Sequence, residues 1–134
     1  MDARSLSCEA LAYLGDAIWE LHVRRSQLWP PDRMHALHRR VVSRVCAEAQ
    51  ASLVVALDPY LSVEERDLVR RGRNAPQSIP RRLDPATYRL ASALETLLGY
   101  LHLTSPERLE VVLHLCDELI DGTKVPSPAP EAPQ

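Results

Sequence analysis

Apolar residues recur along most of this chain at the three-and-four spacing of a helix, and no stretch alternates long enough to name a strand. Leu11, Leu14, Ile18 and Leu21 follow one such rhythm. They predict a helix that opens after Ser5 or Ser7 as N-cap and runs to about Arg25. Glu9, Asp16 and Glu20 fall on another stripe, roughly opposite. Pro30-Pro31 interrupt the pattern, which resumes with Met34, Leu37, Val41, Val45, Ala49 and Leu53. A second, long helix is expected from about Asp32 to Leu57, ended by Asp58-Pro59. Ser62 and Glu65 form a capping box for a short helix that closes at Gly72. After a loop over Pro76 to Leu83, Asp84-Pro85 opens a helix to about Leu103, and Ser105-Pro106 opens a last one that stops at Gly122.

The reading is an all-α bundle forming one domain over residues 1–122. The proline-rich stretch TKVPSPAPEAPQ, residues 123–134, follows as a tail expected to be disordered. The chain is 46 % apolar but only 4 % aromatic, without Phe, so Leu, Val and Ala must fill the core. It has no apolar run long enough to cross a membrane and no basic-then-apolar leader, which points to the cytoplasm. Cys8, Cys46 and Cys116 are widely spaced in apolar helical contexts and are expected to be buried or half-buried free thiols.

The net charge of −2 conceals an asymmetry. Residues 24–89 hold 13 Arg against 7 acidic residues, a local balance of +6. A GC-rich genome would account for 15 Arg against one Lys, but not for their clustering. A basic middle segment with forked Arg donors suits a polyanion.

Two positions break the helical pattern in the same way. Asp16 sits beside Gly15 in Leu14-Gly15-Asp16-Ala17, and Glu95 lies one turn before Gly99 in a helix that is apolar nearly all round. A glycine inside a helix costs about 1 kcal/mol, and a buried unpaired carboxylate costs more. Both defects on two helices predict a close crossing with carboxylates at the contact, and a hard cation such as Mg²⁺ compensates such a pair. Other partners remain open at this point: an arginine for Glu95, and Arg89 or a histidine for Asp16. Glu20 reads as a solvated charge or a supporting group, and a zinc site is not expected from His35 and His38 alone. Tyr88, Ser92, Glu95, Gly99 and His102 share one helix face. Arg70, Arg71 and Gly72 can be a helix end with cations against its dipole, whereas Arg73, Asn74, Arg81 and Arg82 suit phosphates better.

These segments resemble Mini-ribonuclease III, the small branch of the ribonuclease III family that consists of the nuclease domain. The resemblance rests on Leu14-Gly15-Asp16-Ala17, Leu37-His38-Arg39-Arg40, Ala47-Glu48-Ala49-Gln50-Ala51, Arg70-Arg71-Gly72-Arg73-Asn74-Ala75 and the run from Tyr88 to Leu103, in order over roughly residues 6–120. It implies a dimeric, all-α ribonuclease III fold and Mg²⁺-dependent cleavage of double-stranded RNA. The implied substrate is a stem of the large-subunit (23S) ribosomal RNA precursor, matured at its 5′ and 3′ ends, with a ribosomal protein as a possible presenting partner. Asp16 matches the signature aspartate and Glu95 the late metal-binding glutamate. His38, Arg39, Arg40, Arg70, Arg71, Arg73 and Asn74 would grip the duplex, and a Leu/Val-rich helical face, with Trp19 and Trp29 as candidate members, would form the homodimer interface. Ala12 and Ser92 stand where the larger enzymes have further acidic residues, which leaves fewer protein ligands for the metal.

Two rival classes remain. A non-catalytic, Arg-rich dsRNA-binding or ribosome-assembly module would keep the arginines and tolerate Asp16→Asn. A helical nucleotide hydrolase would need paired acidic motifs, and the pairs that exist, Glu107/Glu110 and Glu118/Asp121, read as a solvated face.

Overall fold

The computed structural model describes residues 2–122, so the proline-rich tail lies outside the described residues. After a 3-10 turn at Ala3–Ser5, the chain forms α1 (Cys8–Ser26), α2 (Met34–Val45), α3 (Ala47–Leu57), α4 (Val63–Asn74), α5 (Pro85–Thr104) and α6 (Pro106–Asp121). A second 3-10 turn, Asp58–Tyr60, joins α3 to α4.

Most ends follow local cap chemistry. Ser7 Oγ accepts from the Ala10 N–H at the start of α1, and Asp84 from the Thr87 N–H at the start of α5. Ser62 and Glu65 complete a reciprocal capping box, and Ser105 opens α6. Gly122 closes α6 with φ 68, a left-handed cap.

The expected single helix from Asp32 to Leu57 is two helices. The chain breaks at Cys46 (φ −65, ψ 157), and Gln50 Nε2 donates to the Val45 carbonyl at 2.9 Å across the break. A straight helix of that length would extend roughly 39 Å, at 1.5 Å per residue, and overshoot the domain. Breaking it turns Leu53, Val54 and Leu57 inward against α5 and leaves Met34, expected on the buried stripe, 73 % exposed.

Helix α5 is the axis of the core. Ala91, Ser92, Ala93, Leu94, Thr96, Leu97, Leu98, Gly99 and Leu101 are buried along it, and α1, α3 and α4 pack around it. The buried face of α1 is Leu11, Gly15, Trp19 and Val23, a strict i, i+4 stripe. This corrects two expectations: Leu21 points to solvent, and Trp19, 0 % exposed with its Nε1–H donating to the Arg44 carbonyl at 3.0 Å, belongs to the core and not to an interface. Glycine decides the rotation of α1. A Cβ on Gly15 would lie 1.8 Å from the Glu95 carbonyl oxygen, and one on Gly99 would lie 2.0 Å from the Leu11 carbonyl oxygen, so the two backbones touch at both residues.

Gly72 is likewise not a helix terminus. It lies inside α4, where a Cβ would sit 2.8 Å from Thr96 Oγ1, and α4 continues to Asn74. The three cysteines are free; Cys116 is buried and Cys8 and Cys46 are half-buried. No helix among the described residues is long and apolar enough to cross a membrane.

Candidate active site

The touching backbones of α1 and α5 put Asp16 and Glu95 side by side. Asp16, the residue after Gly15, is exposed; Glu95, whose carbonyl lies against Gly15, is half-buried. Burial, and after it the hydrogen bond and negative charge of Asp16, push the Glu95 carboxyl up to about 8. Neither carboxylate has an arginine, lysine or histidine in ion-pair distance among the described residues. The two cationic alternatives are therefore not realised: Arg89 Nη1 donates to the carbonyls of Arg73 and Ala75, and His22 pairs with Asp117 at 2.9 Å.

A close carboxylate pair without a countercharge is a natural cation site. Among the described residues no group of three or more His, Cys, Asp and Glu side chains is arranged around a metal position. Asp16 and Glu95 alone could supply only part of a hard cation's shell, and water or ligand oxygen would have to supply the rest. Ala12 and Ser92 meet across the same helix pair, one turn before Asp16 and Glu95, at a gap of about 10 Å³ also lined by Gly72 and Gln77. Glu9, on α1, lines the same gap, while Ala12 and Ser92 themselves bring no carboxylate to it. Glu20, a turn after Asp16, pairs with Arg24 at 3.0 Å on the surface, as a solvated charge does.

The basic residues fall into two groups. Arg70, Arg71, Arg73 and Asn74 occupy the last turn of α4, which Gly72 holds against Thr96, the neighbour of Glu95. Arg70 and Arg71 both lean on Asp67, Arg71 at 3.8 Å, while Arg73 and Asn74 are exposed. His38, Arg39 and Arg40 lie on α2, which packs on α1 and α3. His38 and Arg39 are exposed, but Arg40 is committed to the α1–α2 connection: Nη1 to Asp32 at 2.8 Å and Nη2 to the Gln27 carbonyl at 3.2 Å. Sequence reasoning missed Arg89 as the group that holds the end of α4. Its partners are carbonyls, which carry no side-chain signature.

Comparison with known proteins places the chain among relatives. The ribonuclease III domain family matches residues 9–106. A protein of Gloeobacter violaceus called Mini-ribonuclease 3 is 60 % identical over 96 % of this chain and 96 % of its own. One of the same name from Enterococcus faecalis is 39 % identical over 91 % and 96 %. The crystal structure of a protein from Fusobacterium nucleatum superposes with a TM-score of 0.78 at 29 % identity, covering 86 % of this chain and 96 % of that one.

Proposed function

Since the chain belongs to the ribonuclease III family, we propose that it is an endoribonuclease that hydrolyses double-stranded RNA with Mg²⁺ held by Asp16 and Glu95. The observation that carries the reading is the isolated carboxylate pair at the α1–α5 crossing, where burial, and after it the hydrogen bond and charge of Asp16, push Glu95 up to about 8. Held by these two residues, the ion would supply positive charge beside the scissile phosphate and a water of lowered pKa for hydrolysis to 5′-phosphate and 3′-hydroxyl ends. Asp16 and Glu95 bind and orient from a backbone contact that cannot slip. Arg73 and Asn74, with Arg70, Arg71, His38 and Arg39, face the A-form backbone, where shape counts for more than base sequence. Arg40 serves them by fixing the start of α2.

Two sites are needed to cut two strands, and a homodimer provides them. Tyr13 (85 % exposed) and Leu21 (66 %) form an apolar stripe on the outer side of α1, beside an open cleft of about 480 Å³ floored by Ile18, Leu109 and Leu113. This stripe suits an isologous contact. The relatives are named ribonucleases, and our reading of the substrate is a stem of the large-subunit ribosomal RNA precursor, met in the cytoplasm and presented by a ribosomal protein.

The test is cleavage of a long perfect duplex and a matched single strand, with Mg²⁺ or EDTA, by wild type and Asp16→Asn. Duplex-specific, Mg²⁺-dependent cutting that disappears in the variant is expected. Duplex binding without cutting in either protein would move the assignment to a non-catalytic RNA-binding module.

A further inference from the structure

Helix α4 ends in an unusual way. Its last residue is Asn74, and Ala75 leaves it extended (φ −63, ψ 144), as the residue before a proline tends to. Among the described residues the only left-handed backbone is at Gly122, so α4 lacks the left-handed cap that would turn the chain back on its final carbonyls. Two carbonyls at this end, one in the last turn and one just past it, are met from another helix. Arg89 Nη1 on α5 donates to the Arg73 carbonyl at 3.3 Å and to the Ala75 carbonyl at 3.0 Å. A cation is also favoured at this end of a helix dipole.

We propose that Arg89 is a positioning residue for RNA: by capping α4 from α5 it fixes Arg73 and Asn74 relative to the carboxylate pair. This rests on the double-stranded RNA reading above. The cap uses backbone oxygens alone, so the exposed side chains of Arg73 and Asn74 stay available to a ligand. Arg89 lies six residues before Glu95 on the same helix, and the Gly72–Thr96 contact pins α4 one position beyond Glu95. The last turn of α4 is thus held to α5 at two points, one on each side of Glu95 in sequence. Without the guanidinium that turn would have to be ordered by each incoming duplex, at a cost in affinity.

The test compares wild type with Arg89→Lys and Arg89→Gln. Lysine keeps the charge but loses the fork. Amide exchange over residues 74–77, measured without RNA, is expected to speed up in both variants. KM for duplex is expected to rise about tenfold in both while kcat stays within about twofold, because the chemistry is untouched. A wild-type KM in Arg89→Lys alone would show that Arg89 acts through its charge on RNA and would overturn the proposal, as would unchanged exchange in both variants. A wild-type protein that neither binds nor cuts duplex would defeat the underlying function and the RNA part with it, while the exchange result would still decide whether the cap exists.

Discussion

The Cα of Gly15 rests on the backbone of Glu95, so that a methyl group on Gly15 would meet the Glu95 carbonyl oxygen at 1.8 Å. Neither partner can yield by rotating a side chain, since both sides of the contact are backbone. Gly15→Ala and Gly99→Ala should each destabilise the fold by at least about 3 kcal/mol, at the severe end for single substitutions. Denaturant unfolding measures this. A cost below about 1 kcal/mol in either variant would mean that the helices separate easily and that the carboxylates are not rigidly placed.

The same contact buries Glu95 and gives it a pH signature. Its carboxyl rises from an ordinary 4.5 to about 8 in the folded chain. The fold therefore favours the protonated form: the stabilisation is full below 4.5 and is lost as pH rises through 8. Metal-free protein should lose roughly 1–3 kcal/mol between pH 5 and pH 9 from this group, and Glu95→Gln should remove that slope while abolishing cleavage. Urea titrations in EDTA at the two pH values decide it, and equal slopes in wild type and variant would contradict it. Mg²⁺ binding at neutral pH should release a proton, which calorimetry in two buffers detects.

Glu65 carries the opposite sign. Burial alone would raise its carboxyl, but the Arg108 guanidinium, at 2.9 Å to each carboxylate oxygen, and the Ser62 N–H outweigh it and hold it below the usual 4.5. The pair links α4 to α6, and Arg108 also reaches the Tyr60 carbonyl. Its contribution is present above 4.5 and is lost as pH falls through the lowered value. Glu65→Gln should cost on the order of 1–3 kcal/mol at pH 7, with the gap to wild type closing in acid. A gap that persists at the lowest pH where the protein folds would assign the loss to packing instead.

Leu21→Glu tests the outer face of α1. The side chain is 66 % exposed, so the monomer should keep its stability within about 0.5 kcal/mol. Sedimentation should show a dimer for wild type and a monomer for the variant, with cleavage reduced accordingly. A variant that remains dimeric would move the interface away from this stripe.

What could be read from sequence was what is local. Ser62, Asp84, Ser105 and Gly122 mark helix ends because each acts on backbone within a few residues. The carboxylate pair was legible for a similar reason: Gly15 beside Asp16 and Gly99 near Glu95 break helical preference in ways only a close crossing excuses. The break at Cys46 carries no Gly or Pro, and only packing on α5 requires it. The rotation of α1 was misjudged because leucine spacing favoured Leu21, while Gly15 against Glu95 turns Trp19 inward. Gly72 was recognised as a special position but not as a contact, because its reason, Thr96, lies on another helix. Arg40 showed its charge in the sequence but not its commitment to Asp32 and Gln27.

The placing of the two carboxylates on helices whose main chains touch has a consequence for how such a protein can change. Nothing adjustable lies between Asp16 and Glu95, so their separation is inherited from the core and cannot be retuned by lengthening a loop. The exposed Arg73, Asn74, His38 and Arg39 stand where substitution leaves that core intact. On the proposed function, new RNA preferences would therefore arise at the rim while the carboxylate pair stays as it is.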